Sequence, residues 1–134
     1  RFPLSAAVEK LAIPGADRYT FFSTLGLWVI GSGEKTWLVS ANRKIELPVV
    51  RNEPQLFHFL DGIDHMKIEV VFRKETKTLF AGILNLVPDP EGNDYLAFVP
   101  RELLLPFFGK VRDLGLVLGV ELTGRGGGRL IVAP

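Results

Sequence analysis

Four groups of residues carry the types and spacings that chemistry needs. Gly31-Ser32-Gly33-Glu34-Lys35-Thr36 has the composition of a phosphate-binding loop, but that motif needs Gly-Lys-Ser/Thr in direct succession and a helix behind it. Here Glu34 separates Gly33 from Lys35 and puts an anion where phosphate would sit, and Trp37-Leu38-Val39 continues as a strand. The stretch reads as a hairpin turn with no nucleotide affinity. His58, Asp61, Asp64, His65 and Glu69 offer metal ligands or an acid–base pair. Their two histidines, seven apart across Asp61-Gly62, do not match the helical spacing of zinc hydrolases, and the cluster reads as surface turns. If the chain is a small metal-dependent or carboxylate-based hydrolase, its centre belongs here. No Ser stands in a nucleophile-elbow context.

The other two groups are cationic. Arg73, Lys74 and Lys77 read as the tip of a basic hairpin, with Phe72 and Phe80 on its stem turned into the core. Arg125 and Arg129 flank a triple glycine and read as a second hairpin tip able to reach a phosphate backbone. Arg43-Lys44 and Arg51 add smaller positive patches. Trp28 and Trp37 could serve as stacking platforms, but beside a hairpin they read as a core or cross-strand pair.

The elements that must hold these residues follow from periodicity. A short helix over residues 6–11 is capped by Ser5 and stopped by Pro14-Gly15. Residues 19–30 form one long strand, 36–40 its hairpin partner, and 44–47 a half-exposed strand. Residues 55–60 make one or two helical turns. Met66, Ile68, Val70 and Phe72 alternate with Lys67 and Glu69 in a strand that turns at Glu75-Thr76-Lys77 into a second strand over 78–87. A loop over 88–94 precedes a strand at 95–99. Pro100 then opens a helix in which Leu103, Phe107 and Val111, with Leu104 and Phe108, form the buried stripe and Pro106 makes a kink. Residues 116–123 and 129–132 close the chain as a hairpin. Strand, helix and hairpin recur at both ends as a pseudo-repeat. The fold class is α+β, mainly antiparallel, with two principal helices and one short one, since the connections look too short for parallel crossovers.

The chain has 134 residues, 47% hydrophobic and 23% charged, with a formal net charge of +1. That is the composition of one packed domain over 1–134, with 50–94 a candidate insertion carrying its own helix and hairpin. The near-neutral charge excludes a broadly polycationic protein. The absence of Cys excludes disulfide scaffolds, Cys-ligated zinc and thiol catalysis. One Met and nine Pro fit a heat-adapted source. No apolar run approaches the roughly 20 residues of a membrane span, and Arg1-Phe2-Pro3-Leu4-Ser5 lacks the plan of a signal peptide. A cytoplasmic setting is expected. Opening on Arg1, the chain reads as trimmed, processed or a fragment.

Three stretches resemble a single domain of the DNA sliding clamps, the processivity factors of replicative polymerases. Residues 2–11 are similar to the opening strand and helix. Residues 19–27 and 40–47, with Tyr19-Thr20-Phe21-Phe22, Ser40-Ala41-Asn42 and Ile45-Glu46-Leu47, are similar to the meander that follows. Residues 99–112 and 119–132 are similar to the second helix and its hairpin. Residues 50–94 exceed the family's usual connection. In clamps the helices line the DNA channel, so the resemblance carries over Lys10, Arg101, Lys110 and Arg112.

The sequence therefore points to a non-enzymatic binding module in nucleic-acid transactions, working through protein contacts and a basic face. The alternatives are a regulatory protein that docks on a larger machine without nucleic acid, and the hydrolase named above. A protein partner is expected, no cofactor is called for, and nucleic-acid contact and self-association stay open.

Overall fold

The computed structural model describes residues 15–40, 43–123 and 127–134. The helix expected over 6–11, together with Lys10 and Arg125, lies outside them. A turn at residues 23–26 divides the aromatic, β-branched run near the start. β1 (Ala16–Phe22) and β2 (Leu27–Ser32) pair as an antiparallel hairpin from Phe22 opposite Leu27 to Ala16 opposite Ser32, so the single strand expected over 19–30 is two. Gly26 makes the difference. Its φ of 65° lies in the left-handed region that glycine alone enters without cost, and its N–H donates to the Phe22 carbonyl at 2.8 Å. β3 (Lys35–Ser40) returns along β2, with Gly33 and Glu34 as a tight two-residue loop, the turn expected there. β4 (Arg43–Glu46) completes a four-stranded sheet in the order β1-β2-β3-β4.

The second sheet contains β5 (Val49–Val50), β6 (Lys67–Phe72), β7 (Val87–Pro88), β8 (Tyr95–Pro100), β9 (Val117–Leu122) and β10 (Gly128–Ala133), in the order β5-β9-β10-β6-β8-β7. Pairing is mostly antiparallel and the class is α+β, as periodicity indicates. Two pairs are parallel, however: β10 with β6 and β5 with β9. The chain that joins each parallel pair is long enough to travel back to the same end, contrary to expectation. Both edge strands are two residues long, and β7 ends in Pro88, which blunts the edges against further pairing.

Helix α1 (Glu53–Asp61) starts where Asn52 accepts a hydrogen bond from the Gln55 N–H at 3.3 Å, and it buries Leu56, Phe59 and Leu60. Met66, expected on the buried face of β6, lies just before it and is 80% exposed. The strand expected over 78–87 does not form. Instead a 3-10 turn (Lys74–Thr76) runs into the short helix α2 (Lys77–Phe80), and β6 takes β8 as its antiparallel partner. Thr76 is the reason. Fully buried, it turns both its N–H and its hydroxyl back onto the Arg73 carbonyl at 2.8 Å. The turn swings Phe80 onto Phe72, ring centroids 4.8 Å apart.

A second 3-10 turn (Arg101–Leu103) leads into α3 (Leu104–Asp113), which buries Leu104, Phe107, Phe108 and Val111. Leu103 belongs to the turn rather than the stripe and is 49% exposed. Pro106 does not break the helix interior, because it falls in the first turn, where its missing N–H has no intrahelical partner to lose. One hydrophobic cluster joins Phe22, Leu27, Val29 and Leu38 of the first sheet to Ile68, Val70, Phe72, Leu118, Leu130 and Val132 of the second and to both longer helices. The other face of the first sheet has a smaller cluster of Trp28, Ile30 and Val39, against which Phe21 and Trp37 pack. The tryptophans are thus packing residues, with Trp28 edge-on to Phe21. No helix among the described residues is long and apolar enough to cross a membrane.

Candidate functional site

The last turn of α3 lies close against β4. At Gly109 a Cβ would meet Ile45 Cδ1 at 3.5 Å, an ordinary van der Waals distance. Along the contact runs a groove of about 600 Å3. Arg43, Lys44, Lys110 and Arg112 line it above a floor of Ile45, Pro106 and Gly109, and its only carboxylates are Glu46 and Asp113.

These cations are not equally available. Arg112 donates from both Nε and Nη2 to Glu46 Oε2, at 2.6 and 2.5 Å, and Lys35 Nζ lies 3.7 Å from Glu46 Oε1. Glu46, its side chain 18% exposed, thereby clamps the end of α3 to β3 and β4. Basic residues at that helix end also suit the partial negative charge of its carbonyls. Lys44 Nζ stands 5.3 Å from the Trp37 ring centroid. Arg43 is exposed and Lys110 half-buried, and neither has an ion-pair partner among the described residues.

The residues expected at basic tips are placed differently. Arg73 directly follows β6 and donates to Asp94 at 2.6 Å. Lys77 opens α2, its Nζ 4.5 Å over the Tyr95 ring and 3.4 Å from the Tyr95 hydroxyl. Arg129 is a strand residue of β10, not a free tip, with Glu69 at 3.5 Å on one side and Glu121 at 3.0 Å on the other. Lys74 alone of these is exposed without a charged partner among the described residues. Arg101 lines a separate recess of about 250 Å3 with Thr24, Leu25 and Leu105. Of the positions the clamp resemblance carries over, Lys110 and Arg112 share the groove.

His58, Asp61, Asp64, His65 and Glu69 do not converge. His58 is exposed on α1, Asp64 and His65 contact each other at 3.4 Å in the following loop, and Glu69 is engaged by Arg129. Among the described residues no three His, Asp or Glu side chains are placed to hold a metal ion.

No family model matches the chain, and neither a curated protein nor a solved structure matches it.

Proposed function

We propose that the chain is a non-enzymatic binding module acting in nucleic-acid transactions in the cytoplasm, and that its basic face is the groove between β4 and α3. The supporting observation is the convergence of Arg43, Lys44, Lys110 and Arg112 along one open channel. A channel of cations above an apolar floor suits a phosphate backbone, whose charge attracts it without regard to sequence. The sliding-clamp resemblance favours the same helix. Arg73 and Arg129 are secondary in this reading, because each must first release a carboxylate.

The test is fluorescence anisotropy of labelled single-stranded and duplex oligonucleotides across a salt series. Two to four phosphate contacts give a duplex log–log slope of about −2 to −3.5. The double variant Arg43→Glu with Lys110→Glu should flatten that slope, whereas Arg129→Gln should leave it unchanged. Absence of binding at about 50 mM salt, where such contacts are strong, would refute the reading.

A further inference from the structure

Between α2 and α3 lies an apolar cleft of about 210 Å3. Phe80, Val99 and Phe107 form its floor and are almost completely buried, while Ile83 and Leu103 at its rim are 61% and 49% exposed. Aliphatic side chains held out beside a recess mark surface meant for contact. Lys110 is the sole charged residue lining the cleft, and it has no ion-pair partner among the described residues. Pro106 and Lys110 line both this cleft and the basic groove, so the two recesses are contiguous.

We infer that the cleft docks a peptide segment of a protein partner, with one bulky apolar side chain seated against Phe80 and Phe107 and a carboxylate beside it meeting Lys110. Volume argues against a small-molecule ligand, because such sites run to roughly 300–1,000 Å3, whereas this recess suits a single side chain. Chemistry argues against a nucleobase. The Phe80 and Phe107 rings pack on each other and on Phe72, with centroids 4.8 to 6.2 Å apart, and offer no exposed face for stacking. Lys110 is also the only lining side chain that could hydrogen-bond to a base edge. Charge sets the rest, since a partner that brings a carboxylate to Lys110 gains where one that brings a cation is repelled. Seven helical residues rise about 10 Å, so from Leu103 to Lys110 an extended peptide needs its anchor and its acid within about three residues of each other. This contact does not depend on nucleic acid occupying the groove.

The probe is a short fluorescent peptide with a Leu-Phe pair three residues before a Glu pair, followed by anisotropy. It should bind saturably and more weakly as salt rises. Ile83→Ser and Leu103→Ser, both at exposed positions, should each weaken it about tenfold or more while thermal unfolding stays at the wild-type temperature. Lys110→Gln should remove the salt dependence. Oligonucleotide affinity measured on the two serine variants should not change, which separates failure here from failure of the basic groove. Unsaturable binding, wild-type affinity in both serine variants, or undiminished affinity for a peptide with glycines in place of the Leu-Phe pair would each overturn the inference.

Discussion

Phe107 sits where three rings meet. Its ring centroid lies 6.2 Å from that of Phe72, 6.0 Å from that of Phe80 and 5.9 Å from that of Phe108, and it is 7% exposed. Phe107→Ala should therefore cost about 3–5 kcal/mol, the loss for a large buried ring that leaves a cavity. An unchanged urea midpoint would contradict that placement. Two residues along, Gly109 predicts the opposite sign. It lies inside a helix, its φ is not in the left-handed region, and a Cβ would meet Ile45 at ordinary contact distance. Gly109→Ala should raise stability by about 0.5–1 kcal/mol by reducing the freedom of the unfolded chain. A lower urea midpoint would mean that α3 and β4 approach too closely for a methyl group.

At the scale of elements, legibility followed periodicity. β3, β6 and β8 and both strands of the final hairpin alternate or pair through glycine-containing turns, and their places could be read within a residue or two. Residues 74–80 could not be read in this way, because a short run containing Thr and Phe suits a strand as well as a helical turn. What selects the turn is Thr76 bonding back to Arg73 in a buried setting, a tertiary condition that periodicity does not carry. The turn at Gly26 is not legible beside Ser23, Thr24 and Leu25, because strand-forming residues continue on both sides of it. The groove was hidden for another reason. Glu46 and Arg112, which fasten its walls together, lie 66 residues apart. Arg43-Lys44 is visible in the sequence only as a small positive patch, and Lys110 only as a position the clamp resemblance carries over. Asp94, the partner of Arg73, and Glu69, one of the two partners of Arg129, were equally out of reach, 21 and 60 residues away in sequence.

For the whole molecule, the second sheet is built from two antiparallel ribbons, with the two-residue β5 added in parallel along β9. β6 and β8 belong to one, with β7 on its flank, and β9 and β10 form the other. A single parallel seam joins them, at Leu130 with Val70, Ile131 with Val71 and Val132 with Phe72, and the Arg73 N–H extends it by donating to the Val132 carbonyl at 3.0 Å. The seam pairs residues 60 apart, such as Val70 with Leu130, whereas β9 pairs with β10 across at most 16 residues and β6 with β8 across at most 33. The seam therefore has the largest loop-closure entropy of the three. The expected order of folding is ribbons first and seam last. Leu130, fully buried in the seam, provides the measurement. Leu130→Ala should cost about 2–5 kcal/mol, and nearly all of it should appear as faster unfolding, with the refolding limb of the chevron scarcely moved. A refolding rate that falls in proportion to the lost stability would place the seam in the folding nucleus. With late closure, the native lifetime of the protein is set at the junction between its two ribbons, and partial opening there would present β6 and β10 as fresh strand edges before any helix has melted.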